Sequence, residues 1–151
     1  MNKFKKRLLI HLPLITVFLI FTAALIIRIN YIRQTEVELP IRVDALGYTV
    51  GGYNIYRYGV FSEDEPSVNV SPKSIRWPGY SLFIALAFFF SAGDTGFYSI
   101  LLYAQALLSA LLIFPVYYLG RMILPFWWAV SVSILTLFSP HLISMTSYVL
   151  S

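Results

Sequence analysis

The stretch "LLIHLPLITVFLIFTAALII", residues 8–27, contains no charged side chain. As an α-helix its twenty residues rise ~30 Å, the thickness of bilayer hydrocarbon. A cleaved leader has a shorter apolar core, roughly 7–15 residues. The run therefore reads as an uncleaved anchor, with His11 and Pro13 in its first turns, where both are tolerated. Four basic residues, Lys3, Lys5, Lys6 and Arg7, stand immediately before it. A basic cluster at one end of an apolar run is a topology signal, and it predicts a cytoplasmic amino terminus.

Composition agrees with lipid as the solvent of most of the chain. Of 151 residues, 58% are hydrophobic and 12% charged. Soluble domains carry roughly 45–50% and about 25%. Half the usual charge leaves too little to solvate a globular surface. The net charge of +4 matches the amino-terminal cluster, which argues against nucleic acid as a partner. There is no cysteine, so disulfides and thiolate metal sites are excluded.

The segment Arg28–Arg76 reads as a polar external loop. It balances six basic residues (Arg28, Arg33, Arg42, Arg57, Lys73, Arg76) against six acids (Glu36, Glu38, Asp44, Glu63, Asp64, Glu65). The external segment extends to residue 96, with Asp94 near its end. Three more apolar runs follow Arg76. Tyr80–Ala92, 13 residues, is short for a span and reads as an interfacial or re-entrant helix, or as a fourth crossing. Phe97–Leu119 is a second span, ending at Arg121. Residues 122–150 form a third, which Pro140 is placed to kink or divide. The expected fold is all-α: a polytopic helical membrane protein with three to four spans, plus interfacial helices in the external loop. Its place would be the plasma membrane, in contact with membrane lipids. A third apolar run ending at Leu150-Ser151 predicts that the chain is the amino-terminal part of a longer protein.

Within the loop, residues 43–58 predict a short helix. Asp44, Tyr48, Gly51 and Gly52 share one face, Asp44 sits near the favourable amino end, and Gly59 suits the left-handed stop. Its tyrosines are expected at headgroup depth. Glu63-Asp64-Glu65-Pro66 reads as a solvated loop tip, and Asn69-Val70-Ser71 fits a glycosylation acceptor. Arg76 stands before a helix starting near Pro78, where proline is favoured. A boundary guanidinium either snorkels to headgroups or holds a lipid phosphate. Ser109, Ala110 and Gly120 are small enough for helix packing, and Gln105 calls for a buried face. Phe126-Trp127-Trp128 reads as an interfacial anchor at the cytoplasmic start of the third span. His11 and His141 are far apart, and neither a His-Glu-x-x-His pattern nor a phosphate-binding glycine loop occurs.

The order of these features resembles the C-type membrane glycosyltransferases. One span is followed by a loop Asp with Tyr four residues on, then "NIYRYGVFS" (54–62), "RWPGYSLFIAL" (76–86), and a span containing "QALLSALLIFPVYYLGR" (105–121). The nearest groups are the protein O-mannosyltransferase and lipid A aminoarabinose transferase types. The resemblance implies transfer of a sugar from a polyprenyl-phosphate carrier to a protein or glycolipid acceptor on the external face. It implies Asp44 as a base on the acceptor, or as a residue that helps place a divalent metal, which no other pattern in the chain requires. It implies Arg76 toward the carrier phosphate, with Tyr48 and Tyr80 in support. The family's later external acid and most of its spans are missing from this sequence, so the chain is expected to be inactive alone. A non-enzymatic membrane protein, a transporter fragment or accessory subunit, explains the spans equally well.

Overall fold

The computed structural model describes residues 3–35, 37, 41, 43–67, 69–73, 75–91 and 96–149, with 3–11, 43 and 44 described by backbone alone. The side chains of Lys3, Lys5, Lys6, Arg7, His11 and Asp44 thus lie outside the description. So do Glu36, Glu38, Arg42, Ser74, Ala92, Asp94, Leu150 and Ser151 altogether. The described residues form seven helices and no strand, with one isolated parallel bridge between Ser62 and Lys73. They fall into two compact units, residues 1–35 with 105–146 and residues 36–104 with 147–151.

The first unit is built on α1 (Lys3–Gln34), 32 residues long, which rises ~48 Å. Its segment Leu12–Gln34 is long and apolar enough to cross a membrane, and only 22% of its most apolar window is buried. Leu14, Phe18 and Leu19 are all more than half exposed. The helix does not stop at Ile27. Arg-Ile-Asn-Tyr-Ile-Arg-Gln holds neither Gly nor Pro, so hydrogen bonding continues to Gln34. Arg28, read above as the first residue of the loop, is fully buried inside the helix bundle. Its Nε donates to Ser109 Oγ at 2.8 Å and its Nη1 to the Ala24 carbonyl at 3.1 Å. Ser109 in turn donates to the Leu142 carbonyl at 3.1 Å. All seven acids of the chain lie within residues 36–104, so this unit contains no carboxylate side chain.

Helix α4 (Phe97–Leu111) runs into α5 (Ile113–Ile123), and together they form the second stretch long and apolar enough to cross a membrane. The break at Leu112 has a local cause. Pro115 has no N–H for the Leu111 carbonyl, and its ring crowds that carbonyl. In the core of the unit, Val17, Ile20 and Ala24 form one stripe of α1 beside Ala110, Ile113, Tyr117, Ala129, Val130 and Leu137. A methyl group on Gly120 would lie 3.5 Å from Ala129 Cβ, so small residues do bring α5 close to α6 (Phe126–Leu137). The apolar stretch 122–150 is not one helix. Arg121 Nη1 binds the Leu124 carbonyl at 2.8 Å where α5 ends, and α6 has 12 residues, ~18 Å. Ser139 is extended before Pro140, which opens the five-residue α7 (Pro140–Ser144).

The second unit is organised by α2 (Val43–Tyr58) and α3 (Pro78–Phe90). Gly59, at φ +68°, ends α2 in the left-handed conformation, with its N–H on the Ile55 carbonyl at 3.1 Å. The two helices meet at Gly51 and Gly52. A methyl group on Gly52 would stand 2.8 Å from Ile84 Cβ and 2.9 Å from the Ser81 carbonyl oxygen. Only glycine permits that approach. It lets Ala45, Ile84, Ala87, Phe88, Leu101 and Val149 form a core. Two tyrosines of α2 pack on Phe88, Tyr53 edge-on at 5.5 Å and Tyr56 stacked at 5.7 Å with its outer side exposed. Phe88 also stacks on Phe97 at 4.0 Å.

Substituting Gly52 by Val is expected to destabilise this unit by about 1–3 kcal/mol, because the wall it meets is backbone and a branched Cβ. Gly79→Ala, where no atom lies within 4 Å, should stay within about 0.5 kcal/mol of the parent. Denaturant titration in detergent, followed by far-UV circular dichroism, measures both.

Candidate functional site

The candidate site lies in the second unit, where the polar segments before α3 meet the start of α2. Asn54 is fully buried in α2, and its Nδ2 donates to the Ser62 carbonyl at 2.8 Å and the Asp64 carbonyl at 3.0 Å. Those bonds fix the segment 62–64 against the helix. The same segment lies alongside residue 73, since Glu63 N–H donates to the Lys73 carbonyl at 3.0 Å and Lys73 N–H to the Phe61 carbonyl at 3.3 Å. Lys73 also pairs with Asp64 at 3.2 Å, exposed to solvent, a contact of little energetic consequence.

Held in this way, Glu63 points at the turn that precedes α3. Its Oε1 accepts from Ile75 N–H at 3.2 Å and from Arg76 N–H at 2.9 Å. Its Oε2 accepts from Arg76 Nη1. The pair is largely withdrawn from solvent, with the Arg76 side chain 29% and the Glu63 side chain 14% exposed. This corrects the expectation of a solvated acidic tip at Glu63, while Glu65 is exposed as expected. Glu63 is an anchor, because a carboxylate beside two backbone amides and a guanidinium gains more from them than from water.

The guanidinium carbon of Arg76 stands 5.5 Å from the centroid of the Tyr48 ring, a cation–π distance. Tyr48 meets Tyr80 edge-on at 5.5 Å. Gly47, next to Tyr48, leaves the space the pair occupies. A methyl group there would lie 3.0 Å from Arg76 Cζ and 3.1 Å from Glu63 Oε2. Three of the four residues singled out in the sequence, Arg76, Tyr48 and Tyr80, therefore converge. Asp44 lies one helical turn before Tyr48 on α2, and its side chain is outside the described residues. Sequence reasoning missed Glu63, Gly47 and Asn54. Gly47 did carry a signal, since a glycine inside a helix weakens it by about 1 kcal/mol and calls for a packing reason.

A divalent metal would need carboxylate or imidazole oxygens and nitrogens that are free to converge. Among the described residues no three His, Asp or Glu side chains gather. Glu63 is committed to Arg76 and its neighbours, and Asp64 to Lys73. The described residues by themselves form no metal site, and the side chains of Glu36, Glu38, Asp44 and Asp94 lie outside the description.

No family model, curated protein or solved structure matches this chain.

Asn54→Ala removes one buried and one part-buried hydrogen bond at once and should cost about 1–3 kcal/mol. The loss should appear first in the 61–76 segment, as faster amide hydrogen exchange there than in α5 or α6.

Proposed function

We propose that this chain contributes to a membrane glycosyltransferase that moves a sugar from a polyprenyl-phosphate carrier to an acceptor on the external face. The observation that carries the reading is the convergence of Arg76, Tyr48 and Tyr80 one helical turn from Asp44. In this reading the anomeric carbon of the sugar loses its bond to the carrier phosphate oxygen and gains one to an acceptor hydroxyl. Asp44 takes the hydroxyl proton, since a hydroxyl is a weak nucleophile until that proton has a destination. Arg76 balances charge developing on the departing phosphate. Tyr48 and Tyr80 hold the guanidinium in place. The acceptor is a protein or a glycolipid.

The finer membrane layout belongs to the same proposal. Helix α1 and the α4–α5 stretch cross the bilayer, with the amino terminus cytoplasmic and the polar segment outside. Helix α6, with the short helix after it, supplies the third crossing, and α3 lies at the interface or forms a fourth. Two apolar helices of sufficient length support this layout, as do four basic residues before α1.

The alternative is a non-enzymatic membrane protein in which Arg76–Glu63 is a structural clasp. It draws support from the pairing itself, since the guanidinium already has a counter-charge.

Two measurements separate the readings. In membranes from cells expressing the gene that encodes this chain, Asp44→Asn should lower sugar transfer from a polyprenyl-phosphate donor by more than about 100-fold, with the protein still folded. Undiminished transfer removes Asp44 from the reaction. Because the chain has no cysteine, one Cys introduced at exposed Ser67 can be probed with an impermeant maleimide. Labelling in intact cells is the expected result. Protection until lysis would put the loop in the cytoplasm and end the external-face reading.

A further inference from the structure

The Glu63 carboxylate sits in a cradle of two backbone amides and a guanidinium, with Ile75 N–H at 3.2 Å, Arg76 N–H at 2.9 Å and Arg76 Nη1 beside it. Donors of this kind, converging from one turn of chain, bind planar carboxylates and tetrahedral phosphates alike. Gly47 on one side and the Tyr48 ring on another shape the cradle without adding a competing charge. The Arg76 side chain as a whole is 29% exposed, so the pair is not sealed from solvent.

We propose that this cradle is an anion site whose resident occupant is Glu63, and that a lipid-borne phosphate enters it by displacing the Glu63 carboxylate. The proposal rests on the reading of Arg76 as the phosphate-facing cation, and it adds the residue that sets which anions are admitted. A ligand must offer more to the two amides and the guanidinium than one carboxylate does. A phosphate monoester does so through a third free oxygen and a charge between about −1.5 and −2, whereas a neutral or carboxylate headgroup does not. Only the Glu63 side chain swings out; its segment, residues 62–64, stays on α2 because Asn54 holds it through main-chain carbonyls and not through the carboxylate. Displacement therefore does not require the unit to unfold. A lipid source is favoured over free phosphate by an apolar groove of about 490 Å³ on the same two helices, lined by Ile55, Tyr56, Leu82, Ala85, Leu86 and Phe89. Helix α3, which supplies four of those residues, begins two positions after Arg76.

The test is binding, measured without sugar or acceptor, on the full chain in detergent micelles. The probes are inorganic phosphate in one arm and micelles doped with a short polyprenyl phosphate in the other, with calorimetry or phosphorus NMR as readout. Glu63→Gln keeps an oxygen for both amides and removes the competing charge. It is expected to bind polyprenyl phosphate about tenfold more tightly than the parent, and adding Arg76→Gln should abolish the gain. Glu63→Asp, with its carboxylate drawn back by one carbon, should fall between parent and Gln, which keeps the test intact if the Gln variant misfolds. Affinities within twofold of the parent for both variants overturn the proposal. A gain of equal size for inorganic phosphate leaves an anion site but overturns its assignment to lipid. A protein that shows the binding gain but no sugar transfer retains this site and loses only the transferase reading. Transfer without the gain does the reverse.

Discussion

The close approach of α2 to α3 at Gly51 and Gly52 is the constraint on which the second unit depends. Neither residue has a side chain, so the Ser81 and Ile84 turn of α3 lies directly on the backbone of α2. That contact fixes the distance between the helices. It also brings the earlier turn of α2, with Gly47 and Tyr48, over the segment that leads into α3. Packing and site geometry are consequences of one steric condition. Two glycines inside a 16-residue helix weaken it locally by about 1 kcal/mol each. The burial they permit, of Ile84, Ala87 and Phe88 among others, offsets that loss at about 25 cal/mol for each Å² of apolar surface removed from water.

Electrostatics takes over where packing ends. Arg76 is not a bare cation waiting at a membrane boundary, because Glu63 matches its charge and also closes the two amides ahead of α3. Under the proposed function the cation is better held than free, since a fixed guanidinium loses less rotamer entropy when it meets an anion. The same arrangement explains why Asn54 is buried with both donor bonds on main-chain carbonyls. It places the anion that holds the cation.

How far the sequence reveals this depends on the reach of each interaction. Helices α1, α2 and α3 could be read because their signals are local: a charge-free run, a Gly59 stop, a Pro78 start. The Arg76, Tyr48 and Tyr80 grouping came from a resemblance in motif order, and the coordinates bring those three together. Glu63 could not be found in that way. Its partner is 13 residues away across irregular chain, a separation with no periodic signature, and an acid that opens a run of three looks solvated. Arg28 misled for the opposite reason. A charge next to an apolar run marks a boundary in sequence, yet the helix carried it on into the bundle, where Ser109 receives it. In the stretch 122–150 the division at Pro140 was legible from the proline itself, whereas the earlier break between Ile123 and Phe126 was not, because hydropathy does not register the turn of backbone at Leu124-Pro125.

Arg28 also sets an axial phase. Each residue of helix advances 1.5 Å, so sliding α1 by about two residues against α4 would carry Nε out of bonding range of Ser109 Oγ, from its present 2.8 Å. The apolar surface of α1 is nearly uniform along its length and would by itself tolerate such slippage. A single guanidinium therefore acts as a detent. It sets how deep the first helix stands beside its neighbour, in a unit where greasy contacts alone would leave that depth undetermined.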